Sequence, residues 1–116
     1  MQDVANTLSD IRDQLRFDLG SLKLVTAAFV TITMGPPKVH VWTLVERRDE
    51  DSETQLVRAE RRLMTSFPNV GFDFSTIHLR GRDPIQFIPE GAVPVKITDQ
   101  RAREYFIRAA TAHVQS

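Results

Sequence analysis

The residues best suited to chemistry in this chain are two histidines and one aspartate on two apolar segments. His40 lies in KVHVWTLV, and Asp73 and His78 lie in VGFDFSTIHL. If the segments are neighbouring strands, these side chains could form a site with two imidazoles and one carboxylate, a ligand set that suits a transition metal.

The spacing within the second segment argues against this metal site. Asp73 and His78 differ in parity, so a regular strand places them on opposite faces. The apolar positions shift from Phe72 and Phe74 to Ile77 and Leu79, which suggests a bulge or a bend, and only a bulge would bring the site together. We adopt the simpler interpretation, in which the histidines are hydrogen-bonded at a sheet face and the protein holds no metal and no cofactor.

Five arginines form a second candidate, an anion-binding site. Arg58, Arg61 and Arg62 lie in a charged helical stretch, and Arg80 and Arg82 follow a strand. Such side chains bind phosphate groups in nucleic acids. However, the chain has 15 basic and 15 acidic residues, whereas nucleic-acid-binding domains normally have a basic excess. We therefore expect a solvated, charge-balanced face, and nucleic-acid binding is kept as an alternative function.

Several other classes of function and location are disfavoured by what the sequence lacks. Without cysteine there is no disulfide, no thiolate zinc site and no catalytic thiol. The glycine-rich phosphate-binding motifs and the Gly-x-Ser-x-Gly motif of serine hydrolases are missing too. The polar N-terminus MQDVANTLSD is not a signal peptide, and no apolar run approaches the length of a membrane span. We therefore expect a cytoplasmic protein with no membrane contact.

Apolar periodicity predicts one α+β domain over residues 1–116, with a small mixed or antiparallel sheet and helices packed on it. A ferredoxin-like arrangement is the alternative topology. Phe72 and Phe74 should pack under the second helix, which carries Leu56 and Leu63. The predicted order is a helix at 3–19, strands at 22–34 and 38–46, a helix at 52–67, a strand at 70–79, short extended pieces at 85–98 and a helix at 99–114.

The order of helix, hairpin, helix and strand resembles the minimal nucleotidyltransferase domain. That family usually continues with a strand of the form apolar-Asp-apolar and then with Ile-x-x-Glu-Gly-apolar. The corresponding stretches here are GFDFSTI at 71–77 and FIPEGAVPV at 87–95, and the resemblance covers residues 5–98.

The resemblance implies two metal ions held by three carboxylates, which catalyse nucleotidyl transfer. The family has Gly-Ser after its first strand and Asp-x-Asp on its second. This chain has MGPP at 34–37 and KVHVW at 38–42 in those places, and only Asp73 has a counterpart. One ligand of three cannot hold the two metals, so the turn at Gly35 looks like a structural corner. We expect a non-catalytic domain, and an enzyme or nucleotide-binding protein of nucleotidyltransferase-like fold is the alternative.

The first helix suggests a partner. Its apolar positions form a narrow stripe like the seam of a coiled coil, while Phe17 falls outside it. The stripe could pack against a second copy or lie across the chain's own sheet. Because zero net charge opposes association little, we expect a homodimer, and thus a self-associating interaction or regulatory module. An unidentified protein partner is kept as a further candidate. The predicted interface comprises Val4, Leu8, Ile11 and Leu15.

Overall fold

A computed structural model describes the backbone of residues 4–115 and the side chains of residues 7–110. This part of the chain contains three α-helices and a four-stranded sheet, which confirms the α+β class. In chain order the elements are α1 (Val4–Leu19), β1 (Val25–Thr33), β2 (Lys38–Val45), α2 (Glu50–Ser66), β3 (Gly71–His78), a 3-10 helix (Pro84–Phe87), β4 (Val93–Ile97) and α3 (Gln100–Gln115).

The sheet is mixed, with the strand order β3-β2-β1-β4. Strand β1 pairs antiparallel with β2 and β4, whereas β3 runs parallel to β2. A parallel pair needs a crossover connection, and α2 supplies it between β2 and β3. The described elements do not follow the β-α-β-β-α-β order, so the ferredoxin-like alternative is not found.

The two faces of the sheet are covered by different elements. On face A, buried residues of α1 and α2 form one cluster with alternate residues of the strands, among them Val39 and Val41. On face B, a second cluster joins Phe29 and Leu44 to the 3-10 helix and to Phe106 of α3. Because β1 is central and covered on both faces, six of its nine residues are apolar and they are not confined to one face.

The prediction for the aromatic residues of β3 is confirmed. Phe72 and Phe74 pack on the face A cluster that contains Leu56 and Leu63 of α2. Their rings also stack on each other, with centroids 5.8 Å apart.

Helix α2 begins two residues earlier than the sequence pattern suggests. Its N-cap is Asp49, whose carboxylate accepts a hydrogen bond of 3.0 Å from the backbone N–H of Ser52. That bond stabilises the charged carboxylate and lowers the pKa of Asp49. The helix ends at Ser66, just before Phe67 and Pro68.

The apolar stripe of α1 lies across the chain's own sheet. Ile11 and Leu15 are 0% and 2% exposed within the single chain, and Leu8 packs on the same cluster; the side chain of Val4 lies outside the described residues. Ile11 and Leu15 therefore belong to the core of the single chain, which leaves little of the predicted seam free for a second copy.

The apolar stripe is narrower than the packed face of α1, because two arginines beside it also take part in the packing. The guanidinium of Arg12 donates to the backbone oxygen of Pro94 at 2.9 and 3.2 Å, and Arg16 donates to that of Val95 at 3.1 Å. Long basic side chains can cover apolar surface with their stems while their charged ends reach polar partners. Arg12 and Arg16, which lie beside the apolar stripe, thus belong to the contact between α1 and β4.

Candidate functional site

His40 and Asp73 lie side by side on face B, because they are register partners on the parallel strands β2 and β3. Both side chains have partners within the chain. The imidazole Nε2 of His40 is 2.8 Å from the hydroxyl of Ser75, and the carboxylate of Asp73 is 2.9 Å from the ammonium of Lys38. This arrangement matches a hydrogen-bonded histidine at a sheet face.

His78 does not join them. The register between β2 and β3 runs without a shift from Gly71 to His78, so the expected bulge is wrong and His78 faces α2 on face A. There its Nε2 lies 3.8 Å from a carboxylate oxygen of Glu53. No group of three metal-ligating side chains occurs among the described residues.

The parity change that suggested a bulge has another cause, which is a change in the element that covers β3. Phe72 and Phe74 pack on face A, whereas Ile77 and Leu79 join the face B cluster where the 3-10 helix covers that end of the strand. A regular strand can bury opposite faces at its two ends when different elements cover them.

Trp42 belongs to an aromatic row on face B. Its ring stacks on His40 with centroids 4.1 Å apart and lies 6.2 Å from that of Phe29. The indole N–H donates to the hydroxyl of Thr31 at 3.1 Å. The half-buried tryptophan thus has its polar atom satisfied and its ring packed.

The five arginines of the predicted anion site have different roles. Arg82 lies over the Phe87 ring at 4.9 Å and donates to the backbone oxygens of Leu79 and His78, so it holds its own turn together. Arg80 lies in the same turn, with a positive φ of 52°.

The other three arginines are exposed on the polar side of α2, and Arg62 pairs with Asp18 of α1 at 3.1 Å. Arg58 and Arg61 line shallow surface hollows together with glutamates and a threonine of the same helix. No hollow described for this part of the chain is lined by both groups of arginines.

The turn between β1 and β2 is an exposed corner. Gly35 has a φ of 81°, which a residue with a side chain rarely adopts, and Lys38 opens β2 directly after the two prolines. The structure places no carboxylate of β1 or β2 beside Asp73; its register partner is His40 and its ion-pair partner is Lys38.

The two edges of the sheet differ. Strand β4 is five residues long, contains Pro94 and has an irregular register opposite Ala28 and Phe29. Arg12 and Arg16 of α1 also donate hydrogen bonds to its carbonyl groups. A short strand, a proline and a bulge are common means of protecting an edge from unwanted pairing.

Strand β3, at the other edge, has none of these means of protection along most of its length. It is eight residues long, contains no proline and keeps a regular register with β2, its only strand partner in the described chain. Only its last residue is covered, since Arg82 donates to the carbonyl of His78. An edge of this kind is a ready template for another extended chain.

A flank of α2 lies beside this edge. The ion pair between Arg62 and Asp18 marks the side of α2 that faces α1. The contact between Glu53 and His78 marks the side of α2 near β3. Helical spacing places Val57, Glu60 and Met64 on the β3 side. Val57 and Met64 are each 44% exposed, and partial burial raises the pKa of Glu60.

Sequence reasoning missed this combined surface, which we call the β3 edge surface; it consists of β3 and the α2 flank carrying Val57 and Met64. The short extended pieces predicted at 85–98 include β4, which lies at one edge of the sheet. No local signal marked β3 as the second edge, because a strand's neighbours depend on long-range pairing.

Comparisons with protein-family models, with curated proteins and with solved structures find no match to this chain. Within the described residues, no helix combines the length and apolar character needed to span a bilayer.

Proposed function

We propose that this domain is a non-catalytic protein-interaction module whose binding element is the β3 edge surface. The observation that carries the proposal is the contrast between the edges: β4 is short, irregular and hydrogen-bonded by arginines, whereas β3 is long, regular and open. An extended chain can add to such an edge through backbone hydrogen bonds, while side chains beside the edge provide specificity. The absence of cysteine is compatible with a reducing compartment, and we propose the cytoplasm as the location.

The residues around Asp73 favour binding over catalysis. Two-metal nucleotidyl transfer needs several carboxylates converging on one point. Here the ammonium of Lys38 pairs with Asp73, and His40 is the residue directly opposite. If the resemblance to nucleotidyltransferases reflects common ancestry, the catalytic site has been replaced by this polar cluster.

Thr76→Pro tests the binding element. Thr76 belongs to the residues of β3 whose backbone points away from β2, so proline removes an edge donor without breaking the β2–β3 ladder. We expect association of the chain with itself, or with extended peptides selected from a displayed library, to weaken at least tenfold. Sedimentation velocity and fluorescence anisotropy measure the two kinds of binding.

Thr76→Ala is the matched control, since it removes the same side chain and keeps the N–H. It should bind like the unaltered chain. Far-UV circular dichroism checks that both variants are folded, and Thr76→Lys, which places a cation at the edge, replaces the proline variant if that one unfolds. A wild-type chain that binds neither itself nor any displayed peptide overturns the proposed function, as does equal binding by the blocked variants.

A second prediction concerns nucleotides. We expect no affinity in the micromolar range for ATP, CTP, GTP or UTP with magnesium or manganese, because Asp73 is the only matching carboxylate and is paired with Lys38. Isothermal titration calorimetry with each nucleotide and metal is the measurement. Metal-dependent binding that disappears in Asp73→Ala would show that an active site persists.

A further inference from the structure

We propose that the chain bound at the β3 edge surface is β3 of a second copy, paired antiparallel about a two-fold axis that passes beside Phe74. This inference rests on the proposed function and specifies its partner. The result would be one continuous eight-stranded sheet with both α2 helices on the same face.

The first step is to identify the free backbone groups. The backbone N–H of Gly71 donates to the carbonyl oxygen of Pro37 at 3.4 Å, and that of Leu79 donates to the carbonyl oxygen of Val45 at 2.8 Å. The backbone N–H and C=O groups of odd-numbered residues of β3 therefore point toward β2. In a parallel pair the intervening residues direct both their N–H and C=O groups outward. These residues are Phe72, Phe74, Thr76 and His78.

The carbonyl group of His78 is already bound by Arg82. Three consecutive outward residues therefore keep both backbone groups open: Phe72, Phe74 and Thr76. Their middle member is Phe74. An antiparallel pair centred there sets Phe74 opposite Phe74 and Phe72 opposite Thr76, which uses all six of the groups with none left over.

Side chains favour the same register over its neighbours. Centring on Phe74 places Asp73 opposite Ser75 and brings aromatic rings together, and cross-strand aromatic pairs are stabilising. A shift that centres on Asp73 would set two carboxylates directly opposite each other, which is destabilising. A shift that centres on Ser75 would need the carbonyl group of His78 that Arg82 occupies.

Helix packing gives an independent argument for the second copy. On face A, residues of α2 share one cluster with residues of β2 and β3. A helix axis midway over these two strands lies about one strand spacing, roughly 4.8 Å, from an axis running beside β3. The two α2 helices would then lie about 9.6 Å apart, within the roughly 8–10 Å that packed helices adopt. The contact would cover Val57 and Met64, which are exposed in the single chain.

Charge also permits this assembly. The chain has a formal net charge of zero, so two copies meet without net repulsion. A symmetric pair about a two-fold axis is the commonest form of assembly, because the same surface serves both partners. Together, the free groups, the register and the helix spacing fit a second copy better than an unrelated peptide, which would leave the α2 flank uncovered.

Cysteine cross-linking tests the register on the full chain, which has no cysteine of its own. In the proposed register Asp73 and Ser75 of opposite copies have Cα atoms about 4.5 Å apart, a distance that a disulfide can bridge. Equivalent residues of the two copies are about 7–8 Å apart, beyond that reach. We expect a covalent dimer when Asp73→Cys and Ser75→Cys chains are mixed under mild oxidation, and none with either chain alone.

Met64→Glu tests the helix contact. We expect at least a tenfold weaker dimer by sedimentation equilibrium. Met34→Glu is the matched control, because Met34 is also an exposed methionine but lies in the turn between β1 and β2, outside the β3 edge surface; it should leave the dimer unchanged.

The outcomes separate this inference from the proposed function. A monomeric chain that still binds displayed peptides at β3 leaves the function intact and overturns the second copy as its partner. A dimer that cross-links through one variant alone, or that survives Thr76→Pro, overturns the register or the surface proposed here. Cross-linking of the mixture only, with a dimer sensitive to Met64→Glu, supports the proposal.

Discussion

Replacing Phe29 by alanine should lower the free energy of unfolding by about 3–5 kcal/mol, as deletion of a large core aromatic usually does. Phe29 is 0% exposed in the middle of β1. Its ring lies 6.2 Å from those of Trp42 and Phe106, so it links the sheet to α3. Small domains are stable by only about 5–15 kcal/mol, so the variant should unfold at a much lower urea concentration.

Phe17→Ala is the matched control for this measurement. Phe17 is 82% exposed on α1, and substitutions at such surface positions usually change stability by no more than about 0.5 kcal/mol. The same substitution, phenylalanine to alanine, is thus made at a buried and at an exposed position. The difference between the two losses of stability measures the contribution of core packing. If Phe29→Ala lost as little stability as Phe17→Ala, the face B cluster would contribute little to the stability of the fold.

Much of the fold could be predicted because it depends on local periodicity. The alternation in β2 placed Val39 and Val41 on one face and His40 and Trp42 on the other, as the structure has them. The helical spacing of Leu56, Ala59 and Leu63 likewise identified the buried side of α2. These patterns arise within one element, so the sequence of that element is sufficient.

The candidate site depended on relations between elements, and these were harder to infer. His78 lies on face A because β3 is a regular strand. The apolar residues of β3 nevertheless change face where the 3-10 helix begins to cover the strand. Likewise, the contact face of α1 looked narrow because apolar residues alone define the stripe, whereas Arg12 and Arg16 also bind the backbone of β4. Which strand forms an edge also depends on pairing between distant segments.

Ile11→Asp should unfold the chain at neutral pH. Ile11 is 0% exposed in the face A cluster between α1 and the sheet. A carboxylate there loses its hydration and gains no partner, while the apolar contacts of isoleucine are lost as well. Together these effects place the variant in the severe class of substitutions, those that cost more than about 4 kcal/mol. Far-UV circular dichroism and urea denaturation measure the loss.

Phe17→Asp is the control, since it introduces the same charge on the exposed side of the same helix. It should remain folded and keep the oligomeric state of the unaltered chain, because the proposed contact lies at β3 and α2. If Ile11→Asp is instead folded and monomeric while the unaltered chain is dimeric, then Ile11 lies between copies. The seam of α1, and not the open edge of β3, would then join the two chains.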